Sequence, residues 1–142
     1  MVGDLGFGVV TPFMEHLPHQ FVNVGVAEQN MMGVAAGLAL AGKIPFVYSI
    51  ANFPIMRCME QIRNDVCYHN LSVKIVTVGS GLTYAAYGYT HLGVEDLSAM
   101  RALPNMKIVS PGDPIEADAA TRALASAPGP GCLPCCVVKR VF

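Results

Sequence analysis

The sequence contains few charged residues. Lysine, arginine, aspartate and glutamate make up 13% of its 142 residues, about half of the share that is usual in soluble domains. Nine basic residues nearly balance ten acidic ones and no basic run is present, so the charge pattern does not indicate binding to nucleic acid. Because so few charges would cover a monomer poorly, we expect a large interface with another chain.

The sequence also lacks a long apolar run. The run over residues 31–42 is shorter than a membrane span and contains three glycines, so we expect no contact with a membrane. The first residues, MVGDLGFG, have neither the basic region nor the apolar core of a signal peptide. We therefore expect a cytoplasmic protein whose five cysteines are reduced.

Three of the cysteines, Cys132, Cys135 and Cys136, lie close together near the end of the sequence. Cysteines at such spacing can bind a metal ion, but a structural zinc site needs four ligands and no fourth lies nearby. We therefore predict no metal site here. Residues 136–141 are instead expected to form an edge strand.

The most informative stretch is NVGVAEQNMMGVAAGLALAG, residues 23–42. It predicts a helix of about fourteen residues with Glu28 at its N-terminus, and FVNVG just upstream predicts a short strand that ends at Gly25. The helix has no polar face, which predicts burial on nearly all sides. Gly33 and Gly37 lie on one face at a cost in helix stability, so we expect a neighbouring element to pack closely there.

The rest of the chain alternates between predicted strands and helices. Three runs predict strands, at residues 44–50, 72–79 and 106–111. TPFMEHLP predicts a short helix capped by Thr11, and ANFPIMRCMEQIRNDVCYHN predicts one helix capped by Asn52. Asp113 and Glu116 form a capping-box-like pair at the start of a last helix. The pattern predicts a three-layer α/β fold with a mainly parallel sheet of about five strands.

The stretch around Glu28 and the later block THLGVEDLSAMRALPNMKIVSPGDP together resemble the pyrimidine-binding domain of transketolase and its thiamine-diphosphate-dependent relatives. The resemblance extends from Val2 to about Ser126. In that family a glutamate at the position of Glu28 contacts the aminopyrimidine ring of the cofactor, and a histidine at the position of His91 lies near the reacting centre. By its position alone, Glu28 could equally be a solvated acid of the first helical turn.

Three further positions match cofactor contacts of the family. Asp4 matches an acid near the cofactor and the subunit interface, although a turn aspartate is an equal reading of that residue alone. Phe53 follows a predicted parallel strand, where open α/β sheets bind ligands, and it matches an aromatic residue that packs on the pyrimidine ring. Met56 stands where a second aromatic residue is common and still offers apolar contact.

The resemblance implies a thiamine diphosphate cofactor, which reacts through a carbanion on its thiazolium ring. It also implies the transfer of a two-carbon ketol unit between sugar phosphates. In the family a second domain with a Gly-Asp-Gly motif holds the diphosphate through Mg²⁺ or Ca²⁺, and that motif does not occur in this sequence. The implied partners are therefore a second copy in a homodimer, a separate diphosphate-binding subunit, or both.

The sequence also departs from the family. Relatives carry a helix and a strand before the matched region and a further domain after it, so we expect residues 1–142 to form a single pyrimidine-binding domain without these parts. The sugar-contacting histidine and aspartate of transketolases fall near Gly79 and Tyr87 here, which leaves sugar recognition open. Two alternatives remain: a β-subunit-like component of a 2-oxoacid dehydrogenase or decarboxylase, and a non-catalytic domain that dimerises.

Overall fold

A sheet of four parallel strands runs through the computed structural model, which describes residues 1–135. The strands are β1 (Phe46–Ile50), β2 (Lys74–Val78), β3 (Lys107–Ile108) and β4 (Gly131–Cys135). Their order across the sheet is β1-β2-β4-β3, and every neighbouring pair is parallel. The prediction of an α/β fold with a parallel sheet is confirmed, with four strands in the described residues rather than about five.

The predicted strand FVNVG is wrong. Asn23 forms a single isolated bridge with Val2, and its side-chain oxygen accepts hydrogen bonds from the backbone amides of Asp4 and Gly25. An asparagine that bonds the local backbone in this way offers it an alternative to strand pairing. Val2 also bridges Tyr48, so the first residues of the chain lie beside β1.

Strand β4 was not predicted, although it lies in the interior of the sheet. Its residues pair with both β2 and β3, whereas the sequence placed an edge strand at residues 136–141. Those residues, including Cys136, lie outside the part of the chain that the structure describes. Cys132 and Cys135 belong to β4 itself, and Cys132 is fully buried.

Helices cover both faces of the sheet. They are α1 (Thr11–His16), α2 (Glu28–Leu40), α3 (Asn52–Met56), α4 (Met59–Gln61), α5 (Asp96–Arg101) and α6 (Pro114–Ser126). One face carries Val47 and Ile75 and packs in a single core with α2, α3 and α5, whereas Leu133 on the opposite face packs against Leu124 of α6. Within residues 1–135, no helix is both long and apolar enough to cross a membrane.

Helix α2 is less buried than predicted. Met31, Met32, Ala35 and Ala36 face the core, but Leu40 is 69% exposed. No atom lies within 4 Å of where a Cβ would be at Gly33 or Gly37. The described residues cover only one side of the helix, so the second apolar side is open.

The helix predicted over ANFPIMRCMEQIRNDVCYHN is interrupted. Helix α3 ends at Met56, α4 begins at Met59, and a π-helical segment follows over Ile62–Cys67. The interruption lies where the carbonyl of Arg57 accepts a hydrogen bond from the Gln29 side chain. Met56, at the end of α3, is half exposed.

Only one of the predicted helix caps is present. The Asp113 side chain accepts from the backbone amide of Glu116 at 2.8 Å, which confirms the cap of α6. Thr11 is instead the first residue of α1, and its hydroxyl accepts from the amide of Gly8. Asn52 does not cap α3 either, because its side-chain amide donates to the carbonyl of Thr90.

A buried lysine connects the sheet to the end of α6. Lys74, the first residue of β2, is 1% exposed, and its ammonium group donates to the carbonyls of Ala127 and Gly129 at 2.8 and 2.6 Å. These carbonyls follow the helix C-terminus, where the backbone lacks helical partners. Burial, and next the neighbouring charge of Lys107, lower the pKa of Lys74.

Candidate functional site

A cleft of about 510 Å³ opens at the N-terminus of α2. Its lining residues are Val26, Ala27, Glu28, Gln29, Asn30 and Arg57. The chain enters it through a tight turn, in which Gly25 has a φ of +74° and the amide of Ala27 bonds to the Gly25 carbonyl. A positive φ of this kind favours glycine, so the turn explains why Gly25 precedes the helix that presents Glu28.

Glu28 is the buried acid of this cleft. It is 4% exposed, although it occupies the first turn of a helix. One carboxylate oxygen lies 3.0 Å from the guanidinium of Arg57, and Gly3 lies next to the other, since a Cβ there would be in ordinary van der Waals contact with it at 3.7 Å. A buried carboxylate needs a partner of this kind, so the position is inconsistent with a solvated surface acid.

Arg57 also contacts Phe53. The guanidinium carbon lies 4.1 Å from the centroid of the phenyl ring, a distance at which a cation is attracted to the ring face. The Arg57 side chain is 48% exposed. One guanidinium group therefore bridges a buried carboxylate and an aromatic ring.

His91 contacts the same Phe53 ring. The two ring centroids are 5.1 Å apart at an interplanar angle of 68°, and the His91 Nδ1 atom lies 3.0 Å from the Thr90 hydroxyl. The hydrogen bond from Asn52 to the Thr90 carbonyl holds this loop against the start of α3. The structure thus brings three predicted site residues, Glu28, Phe53 and His91, into one connected group.

Two tyrosines extend the aromatic group beyond His91. Tyr87 lies 5.5 Å from His91 by ring centroid, and Tyr84 lies 6.1 Å from Tyr87. Tyr84 covers Gly79 so closely that a Cβ there would lie 2.1 Å from its ring. Gly79 and Tyr87 are the positions where the sequence departs from transketolases: Tyr87 belongs to this aromatic group, and Gly79 lies directly against the ring of Tyr84.

The other two predicted contacts lie at the margin. Asp4 is exposed, and its carboxylate accepts from the Asn23 side chain at 3.0 Å. Met56 ends α3 and is half exposed. Neither residue is among the six described residues that line the cleft.

Sequence reasoning missed Arg57, the main partner of Glu28. Arg57 lies in the interruption between α3 and α4, and its side chain reaches Glu28 of α2. The available signal was the unpaired charge of Glu28, because a buried acid requires a nearby cation or hydrogen-bond donors.

A buried thiol lies behind the ion pair. Cys58 is fully buried, and burial followed by the charge of Glu28 raises the pKa of its thiol to about 12. A thiol with so high a pKa is neither a nucleophile nor a metal ligand near neutral pH. Cys58 therefore forms part of the packing behind the site.

The residues in and beside the cleft fit an aminopyrimidine ring. Glu28 lines the cleft and offers a carboxylate that accepts hydrogen bonds. Phe53 is not a lining residue, but it packs against Arg57, which is one, and offers an apolar ring face. A carboxylate and an apolar face are the combination typical of ligand pockets. The described residues do not contain the other half of a thiamine diphosphate site. Within residues 1–135, no group of three histidine, cysteine, aspartate or glutamate side chains is placed to hold a metal ion.

Comparison with known proteins gives a match along nearly the whole chain. The family model described as "Transketolase, pyrimidine binding domain" matches residues 3–137. A subunit of the apulose-4-phosphate transketolase of Actinobacillus succinogenes is 42% identical over 107 residues, which are 75% of this chain and 34% of that protein. A putative transketolase C-terminal section of Methanocaldococcus jannaschii is 45% identical over 118 residues, or 83% of this chain and 37% of that protein. The chain spans about a third of the length of these relatives.

Solved structures give the same match. A structure described as a split-gene transketolase, an inactive beta4 tetramer, superposes with a TM-score of 0.83 at 39% identity and covers all of this chain and 47% of its own. Transketolase from Leishmania mexicana superposes with a TM-score of 0.73 at 28% identity, over 80% of this chain and 17% of its own.

Proposed function

The chain belongs to the family of the transketolase pyrimidine-binding domain, and from this premise we propose that it forms the pyrimidine-side wall of a thiamine-diphosphate-dependent transketolase. When bound, thiamine diphosphate supplies the nucleophilic carbon that carries a two-carbon ketol unit from one sugar phosphate to another. The observation that carries the proposal is the buried carboxylate of Glu28, which the guanidinium of Arg57 links to the ring of Phe53.

Glu28 is proposed to hold a proton at the pyrimidine nitrogen. Its carboxylate lies in a cleft whose other lining residues bear a single further charge, that of Arg57. In such a site a carboxylate can accept a hydrogen bond from a ring nitrogen and exchange a proton with it. Phe53 is proposed to support the face of the same ring, with Asp4 and Met56 as further contacts at the margin.

His91 is proposed to act on the substrate. Its imidazole is held between Phe53 and Tyr87 and is partly exposed. A histidine in this position can donate a hydrogen bond to a sugar oxygen or transfer a proton to it.

The proposal includes a partner that holds the diphosphate and its Mg²⁺ or Ca²⁺. The open side of α2 offers an apolar surface, with Val34 and Leu40 exposed next to Gly33 and Gly37, and surfaces of this kind mark protein interfaces. One relative is named as a subunit of a transketolase, and the matched structure is described as a split-gene transketolase, which together support a separate partner subunit. A homodimer through the same surface is the alternative assembly.

A ketol-transfer assay tests the proposal. The purified chain is assayed with thiamine diphosphate and magnesium, alone and with a diphosphate-binding partner chain, beside Glu28→Ala. We expect turnover only with the partner and none with Glu28→Ala. The control is Glu60→Ala, which removes an exposed acid of α4 and should retain full turnover.

The outcomes separate the candidate functions. A folded Glu28→Ala variant that keeps wild-type turnover would overturn the role of Glu28. A chain that dimerises but neither binds the cofactor nor turns over with any partner would favour the non-catalytic alternative. Turnover with a 2-oxoacid instead of a ketose donor would favour the dehydrogenase-like alternative.

A further inference from the structure

A single guanidinium group makes both contacts that the pyrimidine ring would need. Arg57 pairs with the carboxylate of Glu28 at 3.0 Å, and its guanidinium carbon lies 4.1 Å from the centroid of Phe53. Under the proposed function, Glu28 binds the ring nitrogen and Phe53 supports the ring face. The ring and the guanidinium would therefore compete for the same carboxylate and the same aromatic face.

The two groups are also alike in chemistry. A guanidinium is planar and directs several N–H donors outward in its own plane, which is why it pairs well with carboxylates and lies flat on aromatic rings. A protonated aminopyrimidine is planar too and carries N–H donors at its edge. We propose that Arg57 is a latch that occupies the aminopyrimidine subsite and must swing out before the ring can bind to Glu28 and Phe53.

The backbone and the surface around Arg57 allow this movement. Its carbonyl accepts a hydrogen bond from the Gln29 side chain at 2.9 Å, so the main chain is held to α2 by a contact that does not involve the guanidinium group. Almost half of the side chain is already exposed, which leaves a path into solvent. Arg57 also lies at the interruption between α3 and α4.

The latch stabilises the folded chain but competes with the ligand. Glu28 is 4% exposed, and a buried carboxylate without a partner would be strongly destabilising. Arg57 removes this cost, but any ligand must then compete with it, so the apparent affinity is reduced by the fraction of molecules in which the latch is closed. A ligand that brings its own N–H donors to Glu28 restores the lost interaction, and a ligand without them does not.

Thermal unfolding with small planar probes tests the latch on the chain itself. Arg57→Ala should lower the melting temperature, and millimolar acetamidine or 4-aminopyrimidine should raise it again by several degrees, because each fills the vacated subsite. The same probes should leave the wild type and the double variant Glu28→Gln/Arg57→Ala unchanged. An Arg57→Ala variant that does not respond to either probe would overturn the latch.

A second measurement covers the case in which Arg57→Ala does not fold. Arg57 pairs with Glu28 through a terminal guanidinium nitrogen, Nη1. By ¹⁵N NMR, the Nη–H groups of Arg57 in the wild type should therefore exchange with solvent more slowly than those of the exposed Arg101. Protection should be lost in Glu28→Gln. Equal exchange at Arg57 and Arg101 in the wild type would overturn the latch.

Cofactor binding then separates the latch from a supporting role of Arg57. With the partner chain present, the latch predicts that thiamine diphosphate binds to Arg57→Ala about tenfold more tightly or better, whereas an arginine that helps to bind the cofactor predicts weaker binding. The inference rests on the proposed function only for the identity of the ligand. If the wild-type assembly binds no thiamine diphosphate, the proposed function fails, while the probes and the NMR measurement still decide whether Arg57 is a latch.

Discussion

The phenyl ring of Phe53 meets the imidazole ring of His91 edge to face, at 68° and with centroids 5.1 Å apart. Phe53 belongs to α3, which follows β1, and His91 belongs to the loop that follows β2. Because β1 and β2 are parallel neighbours, both residues lie at the carboxyl edge of the sheet, where open α/β sheets bind ligands. Substitutions of His91 and Gly79 probe this edge directly.

Replacement of His91 should reduce turnover without reducing stability. We expect His91→Gln to lower kcat/KM for ketol transfer by about a hundredfold or more, because it removes a titratable group held beside Phe53. The melting temperature should change little, since the side chain is partly exposed. His69→Gln is the matched control, because His69 is exposed and also contacts an aromatic ring, that of Tyr68. Equal losses in both variants would contradict the assignment.

Gly79 should tolerate no side chain. It has a φ of +77°, and an added Cβ would lie 2.1 Å from the ring of Tyr84. Gly79→Ala should therefore lose more stability in urea unfolding than Gly81→Ala, which has a φ of +68° but no neighbour within 4 Å. We expect about 1 kcal/mol for the backbone conformation alone, and a larger loss at Gly79. In a Tyr84→Ala background, the further loss caused by Gly79→Ala should fall to about the loss caused by Gly81→Ala.

Substitution of Gly37 should raise the stability of the isolated chain and weaken its assembly. It is helical and an added Cβ meets no atom within 4 Å, so Gly37→Ala should stabilise the dilute chain in urea unfolding by up to about 1 kcal/mol. If the open side of α2 is the interface, the same variant should weaken assembly in sedimentation equilibrium. Gly42→Ala is the contrast, because a φ of +82° makes the substitution destabilising. Unchanged assembly of Gly37→Ala would place the interface elsewhere.

Stability should fall in alkaline solution. Burial, followed by the charge of Glu28, raises the pKa of Cys58 from 9.0 to about 12, and burial raises that of Cys67 from 9.0 to about 11. The folded protein therefore holds these protons to higher pH than the unfolded chain does. Their contribution is complete below pH 9 and is lost as the pH rises towards 12. Urea midpoints measured from pH 8 upward should decline above pH 9, and less steeply for Cys67→Ala; a decline that this variant does not reduce would contradict the role of the thiol.

The parts of the fold that were predictable depend on local patterns. The apolar runs that contain β1 and β2, and the long uncharged segment that forms α2, can be recognised without knowledge of their neighbours. The same is true of the cap formed by Asp113, which depends on a residue three positions away. The position of Glu28 at the mouth of a helix belongs to this group, although its burial does not.

The parts that were not predictable depend on distant residues. Pro134 and the glycines before it argue against a strand. Strand β4 forms because it pairs with β2 on one side and β3 on the other. The contact between Arg57 and Glu28 depends on where a helix is interrupted, and that interruption involves Gln29 on another helix. The sequence pattern of a single segment therefore cannot predict the pairing of β4 or the contact between Arg57 and Glu28.

The position of β4 between β2 and β3 affects the order in which the sheet can form during synthesis. Once residue 78 has left the ribosome, β2 can pair with β1. The other edge of β2 stays unpaired until Gly131–Cys135 has been synthesised. Lys74 likewise has no hydrogen-bond partners until the carbonyls 53 and 55 residues later in the chain have been made. An unpaired strand edge is a template for wrong pairing with other chains, and contacts so distant in sequence form slowly. The β2 edge of the nascent chain is therefore exposed until β4 leaves the ribosome. A chaperone that prevents wrong pairing at this edge would act during that interval.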